Sequence, residues 1–114
     1  RIRIMRRQSI WIPRLMGLKT YKVLSGSMEP EYHVGSVVYV EKSSIDDIEV
    51  GDVITFYIND NTVVTHRVVD KDNDTESFHT KGDANETEDG GSVAYDKVVG
   101  KVVLNVPYLG YILR

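Results

Sequence analysis

Asp52 to Val69 reads DVITFYINDNTVVTHRVV. Its two arms, Asp52 to Ile58 and Thr62 to Val69, are rich in β-branched and aromatic residues, and Asn59-Asp60-Asn61 between them has the polar side chains that tight connections use. The stretch predicts a β-hairpin. Outward from it the same alternation returns in Thr20 to Leu24 (TYKVL), Ser36 to Glu41 (SVVYVE), Glu76 to Thr80 and Lys97 to Val106, each bounded by turn residues. Helical periodicity is absent apart from a short turn around Ser44 to Val50 and an ambiguous head. About six short strands at this spacing predict a mainly β fold, a small antiparallel barrel or coiled sheet. Val34-Gly-Ser-Val-Val-Tyr-Val and Val50-Gly-Asp-Val-Ile-Thr-Phe resemble each other sixteen residues apart, which reads as two strands each entered by a Gly turn.

The 114 residues suffice for one domain with a hydrophobic core, and 41% hydrophobic with 27% charged residues is ordinary globular composition. Without cysteine there is no disulfide, Cys-ligated zinc, iron-sulfur cluster or thiol nucleophile. The net charge of −3 conceals a split. Residues 1–28 carry seven bases (Arg1, Arg3, Arg6, Arg7, Arg14, Lys19, Lys22) and no acid, whereas residues 29–114 carry seven bases against seventeen acids, a balance of −10. The basic head suits anionic lipid head groups. The acidic body argues against nucleic acid, because following a phosphate backbone requires basic residues over the main surface. No run reaches the roughly 18 apolar residues that span a bilayer. The start at Arg1 without a Met, and the uncharged run Val102 to Leu113 at the end, suggest a piece of something longer.

Lys71 to Glu76 and Gly82 to Ser92 are polar enough to be expected as exposed loops. Asp70 to Asp74 begins like a calcium loop but has Thr75 where that loop needs Gly and Lys81 where it needs Glu, and the loop starting at Asp83 fails in the same way. Asn73-Asp-Thr75 and Asn85-Glu-Thr87 fit the N-glycosylation pattern, which arises readily by chance in polar loops. Three scattered His residues offer no metal site. The richest stretch is Ser25-Gly-Ser-Met-Glu-Pro30, a Ser/Gly turn after a predicted strand, closed by Pro. A serine nucleophile needs a base within hydrogen-bond reach and a third group to orient that base. His66 lies in a strand on the face of Val64 and Val68, in an environment that suits the uncharged imidazole a general base requires. His33 in a turn and His79 beside a loop are weaker candidates. Asp83 and Asp89 supply carboxylates in the loop after a short strand.

Together, Ser25 to Pro30, Gly51-Asp-Val-Ile54, Thr65-His-Arg-Val-Val69, Lys81-Gly-Asp-Ala-Asn85 with Asp89, and a tail of Gly100-Lys-Val-Val103 followed by Val106 to Ile112 resemble the boxes of type I signal peptidases, in order. The resemblance is to the branch shared by archaea, some Gram-positive bacteria and the endoplasmic reticulum, in which His stands where the usual bacterial enzymes have Lys. It covers Ile12 to Leu113, and the one departure is Ala84 where Asn is more usual.

What the resemblance implies is a Ser-His-Asp peptidase without cofactor. Ser27 is then the nucleophile and His66 its general base. Asp89, or Asp83, orients His66, with Asp89 favoured and Asp83 free to shape the loop through backbone N–H groups. The Ser27 N–H and the Ser25 hydroxyl become the oxyanion donors. The implied substrates are preproteins cut after small residues at the −1 and −3 positions, bound as an extended strand at a sheet edge with side chains in two shallow apolar pockets. Residues 1–19 become a basic membrane-proximal segment and residues 20–114 the catalytic β domain. The implied membrane anchors, before Ile12-Pro13 and after Val106-Pro107, lie outside the chain, whose catalytic face belongs on the extracytoplasmic side of the cell membrane. Two other readings compete. A self-cleaving repressor protease needs Lys where His66 stands, and a non-catalytic membrane-surface binding module leaves Ser27, His66 and Asp89 a coincidence.

Overall fold

The computed structural model describes residues 18–107; the basic head up to Gly17 and the tail after Pro107 lie outside them. Seven strands form one antiparallel sheet: β1 (Leu18–Lys22), β2 (Val37–Glu41), β3 (Val53–Asn59), β4 (Thr62–Asp72), β5 (Ser77–Lys81), β6 (Val93–Ala94) and β7 (Val98–Val106). The ladder order is β1-β2-β7-β3-β4-β5-β6. Among the described residues it ends at β1 and β6, so these form the open coiled sheet and not a closed barrel.

The hairpin expected from DVITFYINDNTVVTHRVV is β3 and β4, in register from Val53 opposite Arg67 to Tyr57 opposite Val63, with a bulge before Asn59. β3 is central and buried on both sides from Val53 to Phe56. Ile54 and Phe56 pack with Ile48, Val68, Phe78 and Val93 in one cluster. Val53 joins Met28, Tyr32, Val38 and Val40 in the other. Fully burying each such aliphatic or aromatic side chain contributes roughly 1.5–3 kcal/mol. Between the clusters Thr55 and Thr65 close their hydroxyls on each other at 2.7 Å, which satisfies a polar pair on the buried strand.

Three expectations change in detail. The first strand runs from Leu18 to Lys22 rather than from Thr20 to Leu24. β4 continues through Asp72, so Lys71 is part of a strand and not a loop; its half-buried amine donates to the carbonyls of Ile45 and Ile48 at 3.0 and 2.9 Å. β6 adds a seventh strand, two residues long, that exists through its pairing with Ser77 and Phe78. The two similar Gly turns are borne out as strand entries: Gly35 and Gly51 lie ahead of β2 and β3 with φ of 93° and 100°, backbone that side-chain-bearing residues avoid.

Bulges in four of the strand pairings curl the sheet. As a result β1 and the outer half of β4 line a common cleft of about 560 Å³, together with Ser25, Ser27, Met28, Tyr32 and Val38. Among the described residues β1 pairs only with β2, and Val63 to His66 pair only with β3. The cleft is therefore bordered by two strand edges.

Candidate active site

Gly26–Met28 forms a single 3₁₀ turn after β1, with Ser25 as its N-cap. The Ser27 N–H donates to Ser25 Oγ at 3.4 Å, and the two hydroxyl oxygens lie 3.1 Å apart. Met28, 2% exposed, anchors the turn in the second core cluster, which leaves Ser27 half-buried at the mouth of the cleft.

His66 comes from β4, opposite Ile54, and its ring meets that of Phe56 edge to face, at 6.4 Å between centroids. Its Nε2 is 3.1 Å from Ser27 Oγ and its Nδ1 is 2.6 Å from Asp89 Oδ2. An ionised carboxylate only accepts, so Nδ1 carries the proton and donates to Asp89. That leaves Nε2 as an acceptor for the Ser27 hydroxyl. Serine, imidazole and carboxylate form one chain of hydrogen bonds, with His66 9% exposed.

The two carboxylates that the sequence left as alternatives are separated here. Asp83 faces away from His66 and takes both ends of the Arg67 fork, from Nε at 2.8 Å and from a terminal nitrogen at 2.7 Å. It engages a guanidinium rather than backbone N–H groups. Hydrogen bonding to Arg67 holds the Asp83 carboxyl below its usual range, and the same contact raises Arg67. Arg67 also donates to the Gly51 carbonyl at 2.7 Å, joining the turn before β3 to the loop after β5. Because successive strand residues face opposite ways, His66 and Arg67 serve the two carboxylates from opposite faces of one strand.

The loop Gly82 to Ser92 is exposed at 84–88 and 90–92, as its composition predicts, and its first residue is the exception. Gly82 is buried, and a Cβ there would stand 2.6 Å from the Ser27 carbonyl oxygen and 3.1 Å from His66 Nε2. Only glycine admits this approach. The Ala84 N–H donates to the Ser27 carbonyl at 2.8 Å, and the Asp83 N–H points at Met28 Sδ at 3.3 Å. The bond at position 84 uses backbone, so Ala in place of Asn leaves it intact. His33 pairs with Glu29 on the exposed side of the Ser turn, and His79 lies on β5 opposite Asp70; neither joins Ser27.

Sequence reasoning passed over Arg67, Phe56 and Thr80. Arg67 had a readable sign, a strand residue next to His66 that must point the other way. Thr80, a polar residue two after Phe78 on the buried face of β5, had a weaker one. Phe56 as the residue beside the imidazole follows from register, which no local pattern states.

Residues 4–77 match the family model described as signal peptidase, peptidase S26. The chain belongs to this family. The S26 chain is 44% identical over 89 residues to Signal peptidase I W of Bacillus subtilis strain 168, an alignment covering 75% of this chain and 47% of that protein. It is 35% identical over 101 residues to the human Signal peptidase complex catalytic subunit SEC11C, covering 79% and 53% of the two. To the SEC11 catalytic subunit of Fusarium vanettenii it is 34% identical over 101 residues, covering 79% and 59%. The chain spans about half the length of the curated relatives it matches. The stretch of the S26 chain that matches the family model includes Ser27 and His66 and stops before Asp83 and Asp89.

Proposed function

We propose that this chain carries the catalytic centre of a membrane-associated signal peptidase, a serine endopeptidase that removes signal peptides from secreted preproteins. The observation that carries the reading is the chain of contacts from Ser27 Oγ to His66 Nε2 at 3.1 Å and from His66 Nδ1 to Asp89 Oδ2 at 2.6 Å. In the proposed reaction Ser27 Oγ attacks the scissile carbonyl carbon while its proton passes to His66 Nε2. Asp89 holds the tautomer and stabilises the imidazolium. The oxyanion takes the Ser27 N–H and the Ser25 hydroxyl as donors. In the resting enzyme that N–H points at Ser25 Oγ, so the arriving oxygen must displace an internal acceptor. As the tetrahedral intermediate collapses, His66 gives the proton to the leaving amine. Water, deprotonated by the same imidazole, then releases the acyl group from Ser27.

The cleft between β1 and β4 supports an extended substrate. A peptide laid along it finds strand edges on both sides and side chains of Tyr21, Val23, Met28 and Val63 beneath. Small residues at the −1 and −3 positions are the side chains we expect this cleft to accept. Leu24 and Val34, 80% and 52% exposed near the Ser turn, suit a catalytic face held against lipid on the extracytoplasmic side of the membrane.

The test is cleavage of a secretory preprotein by the purified intact protein and its Ser27→Ala variant, with N-terminal sequencing of the product. Cleavage by the parent alone, after small residues, is the expected result. Full cleavage by Ser27→Ala would remove the serine from the mechanism. Liposome binding with no cleavage by the parent would favour the membrane-surface module.

A further inference from the structure

We propose that Thr80 is a positioning residue that fixes the Asp89 carboxylate against His66. The inference rests on the reading of Ser27, His66 and Asp89 given above. Thr80 lies on β5 and is fully buried. Its hydroxyl donates to Asp89 Oδ2 at 2.6 Å, the same oxygen that receives the His66 Nδ1 proton. Its carbonyl accepts the Asp89 N–H at 2.9 Å. Thr80 thus clasps Asp89 by backbone and side chain together.

The surroundings make that clasp necessary. Residues 84–88 and 90–92 are exposed, so the loop gives Asp89 little packing. Thr80 and Asp89 both border a cavity of about 520 Å³, lined also by Phe56 and Val93, which shares only Val64 and His66 with the cleft lined by Ser27. A carboxylate beside open volume has other staggered rotamers within reach. Two short hydrogen bonds converging on one oxygen select a single rotamer, and bonds to a charged acceptor are the strong kind. Without the hydroxyl, Asp89 is free to turn into the cavity and leave Nδ1 unoriented.

The test compares Thr80→Val, Thr80→Ser, Asp89→Asn, Ser27→Ala and the Thr80→Val/Asp89→Asn double variant in the intact protein, by steady-state cleavage of a signal-peptide substrate and by thermal melting. Thr80→Val is expected to lower kcat about 10- to 100-fold, the size of a hydrogen bond to a charged group expressed as a rate, with KM unchanged. Thr80→Ser restores most of the loss. In the Asp89→Asn background Thr80→Val has no further effect, because the two residues act through one contact. Wild-type kcat in Thr80→Val overturns the proposal. So does an equal loss in both backgrounds, or a loss that Thr80→Ser shares along with a lowered melting temperature. An active Ser27→Ala defeats the reading of the whole site instead, whereas an inactive Ser27→Ala beside a fully active Thr80→Val defeats the role of Thr80 alone.

Discussion

The carbonyl oxygen of Ser27 accepts the N–H of Ala84 at 2.8 Å. The turn that carries the hydroxyl and the loop that carries Asp89 are therefore joined backbone to backbone, although Ala84 lies 57 positions after Ser27 in the chain. Gly82 lets the two backbones meet, and the Arg67–Asp83 pair ties the loop back to β4.

The closeness of Gly82 makes it a sensitive position in the loop. Gly82→Ala places a methyl group 2.6 Å from the Ser27 carbonyl and 2.7 Å from Asn85 Nδ2, so turn and loop must separate. Expected is a fall in kcat of about 100-fold, from misplacement on the order of 1 Å, with destabilisation of about 1–3 kcal/mol. Kinetics and thermal melts on the same preparation check both. A variant with parental kcat would mean that the loop yields without moving Ser27.

Ser25→Ala removes a proposed oxyanion donor and leaves Ser27 in place. Its cost is expected in kcat, about 10²- to 10³-fold, while KM holds. A rise in KM with unchanged kcat would assign Ser25 to substrate binding.

The ion pair of Arg67 and Asp83 predicts a pH dependence of stability. Arg67 depresses the Asp83 carboxyl in the folded protein, so the pair's contribution is fully present above the unfolded carboxyl value, about 3.9, and disappears as pH falls through the lower folded value. The melting temperature of Asp83→Asn should lie below the parent at pH 7. As pH falls below about 4 the two should draw together, meeting once the depressed folded value of Asp83 is passed. Parallel curves across that range would show that the difference has another source.

If substrate adds as a strand, its binding has a backbone signature. Hydrogen exchange on Ser27→Ala with a signal-peptide substrate should slow at the Lys22 amide and at the outward-facing amides of Val63 to Thr65, the edges along the cleft, and not across β5. Protection confined to the Ser25 to Met28 turn would rule out strand addition.

Legibility in the sequence followed the range of the forces involved. The β3–β4 hairpin is local, alternation plus Asn59-Asp60-Asn61, and it reads directly. β6 has no pattern of its own, since Val93 and Ala94 are a strand only because Ser77 and Phe78 are beside them. The polar stretch Asp70-Lys71-Asp72 looks like loop, yet pairing with β5 and the carbonyls of Ile45 and Ile48 keep it extended. Within the site, Ser27, His66 and both carboxylates stood out by residue type and by resemblance. Which carboxylate meets the imidazole depends on how an eleven-residue loop folds back, through contacts such as Asp89 N–H to the Thr80 carbonyl that nothing near Asp89 in sequence announces.

The alternation of His66 and Arg67 gives the hairpin tip an influence that its exposure hides. Adding one residue within β4 on the tip side of His66 shifts the phase of the strand against β3, and every side chain beyond it exchanges faces. Thr65 would then occupy the place opposite Ile54 where the imidazole now stands, and the guanidinium would lose Asp83 in the same step. A phase error of one would thus abolish both charge pairings at once, while an insertion of two preserves the faces and merely lengthens the arm. The chemistry of this domain is therefore encoded partly in parity, a property that residue identity alone does not carry.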